Sequence, residues 1–283
     1  MKVGLFPGQG IDKAGVLAAL PEDHVRLREA RRLLGYDLRR AVERSGRTIP
    51  TRIAQPAILT AGVIAFEGAV AEGDRFEWLA GHSLGEYTAL VAAQAISFPQ
   101  GLRLVAARGE AMKRAANRSE GGMVAVLRLD LDTVEAIART NDVVVANDNT
   151  ADQVVLSGDE RGLAGAARDV SANGGRVVRL PVEGAFHGPA MDPAVDALDD
   201  ALTHVMVRQP RIPVVSNVTE RPYRAPGEVR KMLLRQLTGR VRFRGSMEWL
   251  RDQGVDEYRD LGPGRVVEGL ARSVFGTREV ARV

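Results

Sequence analysis

Phe76-Glu77-Trp78-Leu79-Ala80-Gly81-His82-Ser83-Leu84-Gly85-Glu86-Tyr87 is the stretch on which the fold turns. Trp78 to Ala80 is a short apolar run ending on a glycine, as a buried strand does. From Leu84 onward the composition is helical, with Leu90, Val91, Ala92 and Ala93 forming an apolar side. Gly81-His82-Ser83-Leu84-Gly85 between them fits G-x-S-x-G, the sharp strand-to-helix turn that exposes a serine hydroxyl above a sheet. Such a turn is expected to force unusual backbone angles at the two glycines and to leave no room for side chains there. N–H groups at the helix start would lie beside the hydroxyl and could stabilise an oxyanion. A serine in a glycine-rich turn with no chemical role is the plainer alternative.

The chain has 283 residues, long enough for one large domain or one with a subdomain. No apolar run approaches the roughly 20 residues of a membrane span, and the N-terminus moves straight into strand-like Val3-Gly4-Leu5-Phe6, so a cytoplasmic, soluble protein with no secretion signal is expected. Cysteine is absent, which excludes disulfides, thiolate metal sites and cysteine nucleophiles. The net charge of +3 is carried almost entirely by arginine, since only Lys2, Lys13, Lys113 and Lys231 are lysines. That balance favours an acidic partner, but no nucleic-acid motif accompanies it.

After the first strand, Pro7-Gly8-Gln9-Gly10 can present backbone N–H groups to an anion without having phosphate-loop spacing. An arginine-rich helical segment follows, with Arg28, Arg31, Arg32, Arg39 and Arg40 on a solvated face. Gln55-Pro56 is read as the start of a largely apolar helix, proline being favoured in a first turn. Ser97-Phe98-Pro99-Gln100 has the pattern of a capping box.

Past Gly121-Gly122 the elements shorten. The expected order is strand Met123–Leu127, helix Asp132–Arg139, strand Val143–Ala146, strand Val154–Ser157, helix Glu160–Ser171 and strand Val177–Leu180, with Asp132 and Glu135 capping the first helix. This βαββαβ order is ferredoxin-like. It divides the chain into a discontinuous catalytic domain, 1–122 with 184–283, and a subdomain, 123–183. A further strand is expected at Ile212–Val215 and a last helix over Val266–Ser273.

A serine nucleophile needs a base, and there are four histidines. His24 reads as a surface residue, and His204 sits late in a helix, where a cation suits the carbonyl end. His82 adjoins Ser83, but neighbouring side chains in such a turn diverge. His187, on a glycine-flanked loop before a helix, is the best candidate. No Asp or Glu stands in an obvious strand-end position between Ser83 and His187, which fits an ordinary α/β-hydrolase triad poorly.

Phe6-Pro7-Gly8-Gln9-Gly10, Gly81-His82-Ser83-Leu84-Gly85-Glu86-Tyr87, Arg108-Gly109, Gly184-Ala185-Phe186-His187, Ser216-Asn217-Val218 and Leu261-Gly262-Pro263-Gly264 occur in one order and at compatible spacings. As a set, spread over essentially the whole chain, they resemble the malonyl-CoA:acyl carrier protein transacylase family, including polyketide-synthase acyltransferases. The resemblance implies an α/β fold, with an α/β-hydrolase-like large domain and an inserted ferredoxin-like subdomain. It implies Ser83 as nucleophile, His187 as general base, and the backbone N–H groups of Gln9 and Leu84 as oxyanion hole. It further implies the backbone carbonyl of Gln236 as the group orienting the histidine, Arg108 as the holder of the malonyl carboxylate, and Phe186 as a gate on the α-carbon. On this reading malonyl passes from CoA to the phosphopantetheine of an acyl carrier protein or polyketide-synthase carrier domain, by a monomer with no metal and no resident cofactor. Arg235, Arg240, Arg242 and Arg244 form a basic strip suited to an acidic carrier. Gly10-Ile11-Asp12-Lys13 departs from the family pattern, and Ala185-Phe186-His187 is most like the discrete polyketide type. The other classes compatible with the residues are an acyl-thioester hydrolase, a transferase of another acyl group, and a non-catalytic docking module.

Overall fold

In the computed structural model, residues 1–46, 48–118 and 120–276 are described. The elements run β1 (Lys2–Phe6), α1 (Lys13–Ala18), α2 (Val25–Leu34), α3 (Leu38–Glu43), α4 (Thr51–Ala71), β2 (Trp78–Gly81), α5 (Leu84–Ala92) and α6 (Phe98–Ala116). Then come β3 (Gly121–Leu127), α7 (Leu131–Thr140), β4 (Val144–Thr150), β5 (Gln153–Asp159), α8 (Glu160–Ala172) and β6 (Arg176–Arg179). A 3-10 turn (Pro189–Ala194) precedes α9 (Val195–Thr203), β7 (Val214–Val215), α10 (Pro226–Thr238), β8 (Val241–Arg242), α11 (Phe243–Asp252), β9 (Glu257–Asp260) and α12 (Val266–Phe275). The described residues form a mixed α/β fold with two sheets.

The first sheet is parallel, in the order β7-β2-β1-β9. Its strands are covered on both faces, as parallel strands joined by helices must be. Val3, Leu5 and Ala80 pack toward Phe243, Met247 and Val267 of the C-terminal helices. Phe6 and Leu79 face the other way, into the core built on α4, α5 and α6. Phe6 pairs with Gly81, so the loops leaving β1 and β2 emerge side by side at the carboxyl edge, where ligands of open parallel sheets bind.

The second sheet runs β6-β3-β5-β4-β8, antiparallel except for the β4–β8 pair. One face is closed by α7 and α8 through Val126, Val134, Leu156 and Leu163. The other, with Met123, Ala125 and Val155, turns toward the first core. β8 comes from the C-terminal part of the chain, so the sheet is completed from outside its own sequence block.

Several local expectations change. The apolar helix begins at Thr51, leaving Pro56 inside α4 rather than in its first turn. α4 is 21 residues long with a mean hydropathy of 1.5, enough to cross a membrane by length and composition, contrary to the sequence reading. It is mostly buried against α5 and α6, as a core helix is. Asp130, not Asp132, caps α7, accepting from the Thr133 N–H. Ser97 makes no bond to the backbone of its helix; its hydroxyl donates to Gln100 Oε1. β4 continues past Ala146 through polar Asn147, Asp148 and Asn149, because pairing with β5 and β8 satisfies its backbone. The strand expected at Ile212 shrinks to Val214–Val215.

The strand–turn–helix stands, with one correction. Gly81 and Gly85 are needed for close approach. A Cβ on Gly81 would strike the backbone of Gly85, and one on Gly85 would strike the carbonyl of Phe6. The unusual backbone angle falls instead on Ser83, at φ 51° and ψ −103°. Gly85→Ala is therefore expected to cost about 3 kcal/mol, since neither backbone can yield. Gly68→Ala, on an exposed side of α4 with nothing within 4 Å, is expected to gain about 0.5–1 kcal/mol. Urea unfolding of the two variants checks the pair; equal stabilities would contradict the packing described.

Candidate active site

β2 delivers Ser83 and the loop after β6 delivers His187. Ser83 Oγ lies 2.7 Å from His187 Nε2, and both side chains are buried. His187 Nδ1 is 2.8 Å from the backbone carbonyl of Gln236, on the last turn of α10. A carbonyl can only accept, so it holds the proton on Nδ1 and leaves Nε2 free to accept from the serine. Burial, with the nearby Arg108 charge, pushes His187 down to about 3, so the ring is neutral. Its backbone, like that of Ser83, has positive φ, at 60°. Two strained residues facing each other are the kind of stored strain found at functional sites.

The elbow is tied down by residues distant in sequence. Asn217 Oδ1 accepts the Ser83 N–H at 2.8 Å, and its Nδ2 donates to the Gly81 carbonyl at 2.7 Å. Gln236 Nε2 donates to the Ser83 carbonyl at 2.9 Å. Leu84 opens α5, so its N–H is one of the helix-start donors without an intrahelical acceptor. Gln9 lines a cavity together with Ser83 and His187, and its side-chain amide donates to Thr51 Oγ1.

Arg108 projects from α6 and is only 1% exposed, so it is not a surface arginine. One of its Nη atoms is 3.2 Å from Ser83 Oγ and 3.3 Å from Gln236 Oε1, and the guanidinium stands 5.0 Å from the Tyr87 ring centre. Gly109 lets the helix approach α4, since a Cβ there would press on Thr51 and Arg52. Burial lowers the arginine's pKa, opposed by the charges of Tyr87 and Glu86.

These groups open into a cavity of about 340 Å³. Met112, Met123, Val155, Leu180 and Phe186 give it apolar walls, and Asn147, Asn149 and Gln153 form a carboxamide strip on the second sheet. His82 does diverge from the serine: its Nε2 meets Asn149 Oδ1 at 2.8 Å and its ring leans on Phe243. His24 caps α2, accepting from the Arg26 N–H, and His204 ends α9.

Ser83, Leu84, His187, Arg108, Phe186, Gln9 and the Gln236 carbonyl are thus brought together around the turn and its cavity. The signals missed were the side chains of Asn217 and Gln236, the Tyr223–Glu86 pair beneath the elbow and the carboxamide strip. Asn217 lay in a recognised motif, with nothing local to reveal its target. The basic strip is largely neutralised: Arg240 pairs with Glu135 at 2.7 Å, Arg244 with Asp148 at 3.0 Å and Arg242 with Glu220 at 3.4 Å. Arg235 alone of the strip has no ion pair among the described residues.

A buried serine and a carbonyl-oriented histidine at the edge of a parallel sheet, beside a buried arginine, define a protein equipped to handle an acyl group bearing a negative charge. Residues 5–257 match the family model described as the acyl transferase domain, and the chain belongs to that family. It is 39% identical to the polyketide biosynthesis protein ThaF of Burkholderia thailandensis over 97% of this chain, and spans 24% of that longer protein. It is 35% identical to the malonyl CoA-acyl carrier protein transacylase of Salmonella typhimurium, over 96% of this chain and 92% of that one. The solved malonyl CoA-acyl carrier protein transacylase of Coxiella burnetii superposes with a TM-score of 0.92 at 31% identity, covering 98% of this chain and 92% of that one. A malonyl-transacylase solved in complex with its type II PKS acyl-carrier protein gives 0.91 at 33% identity, covering 100% and 95%.

Because His187 is held neutral, the rate of serine acylation should show no inflection near the ordinary histidine value, about pH 6.5, when followed between about pH 5 and 8. Stopped-flow acyl transfer at saturating donor measures it. A rate that halves near pH 6.5 on acidification would contradict a neutral, buried base.

Proposed function

We propose that the protein moves a malonyl group from CoA to the phosphopantetheine thiol of an acyl carrier protein, through an acyl-serine intermediate. The observation that carries the proposal is Arg108, buried beside a serine–histidine pair in an apolar cavity. Ser83 Oγ attacks the thioester carbonyl as His187 Nε2 takes its proton. The developing oxyanion is met by the N–H groups of Gln9 and Leu84. The C–S bond breaks, His187 returns the proton to the CoA thiolate, and malonyl remains as an ester on Ser83. The carrier thiol enters, gives its proton to His187, and attacks the ester. Ser83 regains that proton as the carrier thioester leaves. The histidine performs both half-reactions, so the kinetics are ping-pong.

An unpaired carboxylate in such a cavity is strongly unfavourable, and a guanidinium can offer it two parallel hydrogen bonds. CoA and the carrier share the phosphopantetheine arm, whose amides suit the carboxamides of Asn147, Asn149 and Gln153. Phe186, buried in the cavity wall, would crowd an α-methyl group and favour malonyl over methylmalonyl. We assign the first sheet and its helices, 1–122 and 184–283, to an α/β-hydrolase-like catalytic domain and 123–183 to a ferredoxin-like subdomain. The enzyme is proposed to act as a cytoplasmic monomer without a resident cofactor, in polyketide or fatty-acid biosynthesis. A hydrolase of uncharged acyl thioesters would have no use for the buried guanidinium.

Arg108→Ala is expected to lower kcat/KM for malonyl-CoA roughly 30-fold or more, the cost of stranding one partner of a buried pair, while activity on acetyl-CoA rises relative to it. Arg108→Lys should recover little, because an ammonium cannot reproduce the two-pronged geometry. The malonyl-to-acetyl ratio of kcat/KM reads the effect. A ratio unchanged by the substitution would contradict the role of Arg108.

A further inference from the structure

Under the turn lies a carboxylate that does not line the cavity. Glu86, on the first turn of α5, is fully buried. Tyr223 Oη donates to its Oε1 at 2.5 Å, and Gln236 Nε2 donates to its Oε2 at 2.6 Å. The Ser216 hydroxyl and the Asn217 backbone N–H face it as well. Burial raises its pKa while these donors oppose the rise, and Tyr223, raised well above the ordinary tyrosine value, keeps its proton to donate.

We propose that Glu86, held by Tyr223, is a positioning residue that fixes which way round the Gln236 amide sits and so couples carboxylate recognition to the dyad; the proposal rests on the malonyl reading above. Gln236 hydrogen-bonds to all three working groups. Its main-chain carbonyl takes the His187 Nδ1 proton, its Nε2 reaches the Ser83 carbonyl, and its Oε1 accepts from Arg108. An amide can be turned over, exchanging its donor and acceptor ends. With Tyr223, Ser216 and the Asn217 N–H all donating to it, the Glu86 carboxyl acts as an acceptor, so it requires Nε2 on its side and thereby leaves Oε1 facing the guanidinium. The reversed amide would point an N–H at Arg108, which itself only donates, and would set Oε1 against both Glu86 and the Ser83 carbonyl. Arg108 would lose one of the two acceptors its Nη reaches, keeping only Ser83 Oγ, and the turn would lose one of its two side-chain ties.

The test uses Glu86→Gln, which can donate or accept and so releases the constraint at constant shape, and Tyr223→Phe, which removes one hydroxyl. Neither Glu86 nor Tyr223 lines the cavity. Acylation of Ser83 by malonyl-CoA and by acetyl-CoA is followed, with kcat and KM resolved, in the wild type and in each variant that circular dichroism shows to be folded. Loss of one such hydrogen bond corresponds to about a three- to tenfold effect. The expected result is a malonyl KM raised by that factor and a malonyl-to-acetyl ratio of kcat/KM lowered by it, with acetyl loading falling less. If Glu86→Gln does not fold, Tyr223→Phe decides alone. A wild-type malonyl preference that survives unchanged, or equal losses for both acyl groups, would overturn the coupling. A wild-type ratio near one would instead overturn the malonyl reading beneath it.

Discussion

The conformation of one serine governs this structure. Ser83 sits at φ 51°, where an L-residue costs of order 1–3 kcal/mol, and the surroundings must over-determine it for the turn to persist. They do so in two ways. Gly81 and Gly85 let β2, α5 and the end of β1 close to distances no side chain would allow. Asn217 and Gln236 then take up the N–H and the carbonyl of the strained residue, and Asn217 also binds the Gly81 carbonyl. The parallel register of Phe6 with Gly81 brings the Gln9 loop beside the turn as a consequence of the same packing.

Around that turn the protein buries polar groups that would be costly if left unmatched. His187 is kept neutral by burial and is oriented by a carbonyl, so no carboxylate is needed as a third member beside the pair. Arg108 and Glu86 are both taken out of water and meet through the Gln236 amide rather than directly. The second sheet adds apolar walls and a carboxamide strip, joined to the elbow by the His82–Asn149 contact. The arginines after α10 bind this part of the chain too: Arg240 holds Glu135 on α7 and Arg244 holds Asp148 on β4, so these charges join parts of the molecule rather than stand free for a partner.

The serine's turn was legible because the glycines, serine and flanking apolar runs are contiguous, and steric demands on adjacent residues leave a local mark. His187 could be chosen because few histidines compete, while Arg108 and the Gln236 carbonyl were legible only through resemblance; composition alone favours a surface role for any arginine in so arginine-rich a chain. Glu86 was quoted in a motif without its role being visible, since Tyr223 and Gln236 approach it from far along the sequence. The same limit explains the ends of elements. Pro56 inside α4 and the polar extension of β4 are decided by tertiary partners, which outweigh local preference.

The most direct measurement of the central claim is intact-protein mass spectrometry after exposure to malonyl-CoA, followed by addition of a carrier protein bearing its phosphopantetheine arm. The account predicts a single malonyl increment, mapped by peptide sequencing to Ser83, absent from Ser83→Ala, and discharged onto the carrier. A malonyl increment at another residue, or one released only to water when the carrier is present, would contradict it.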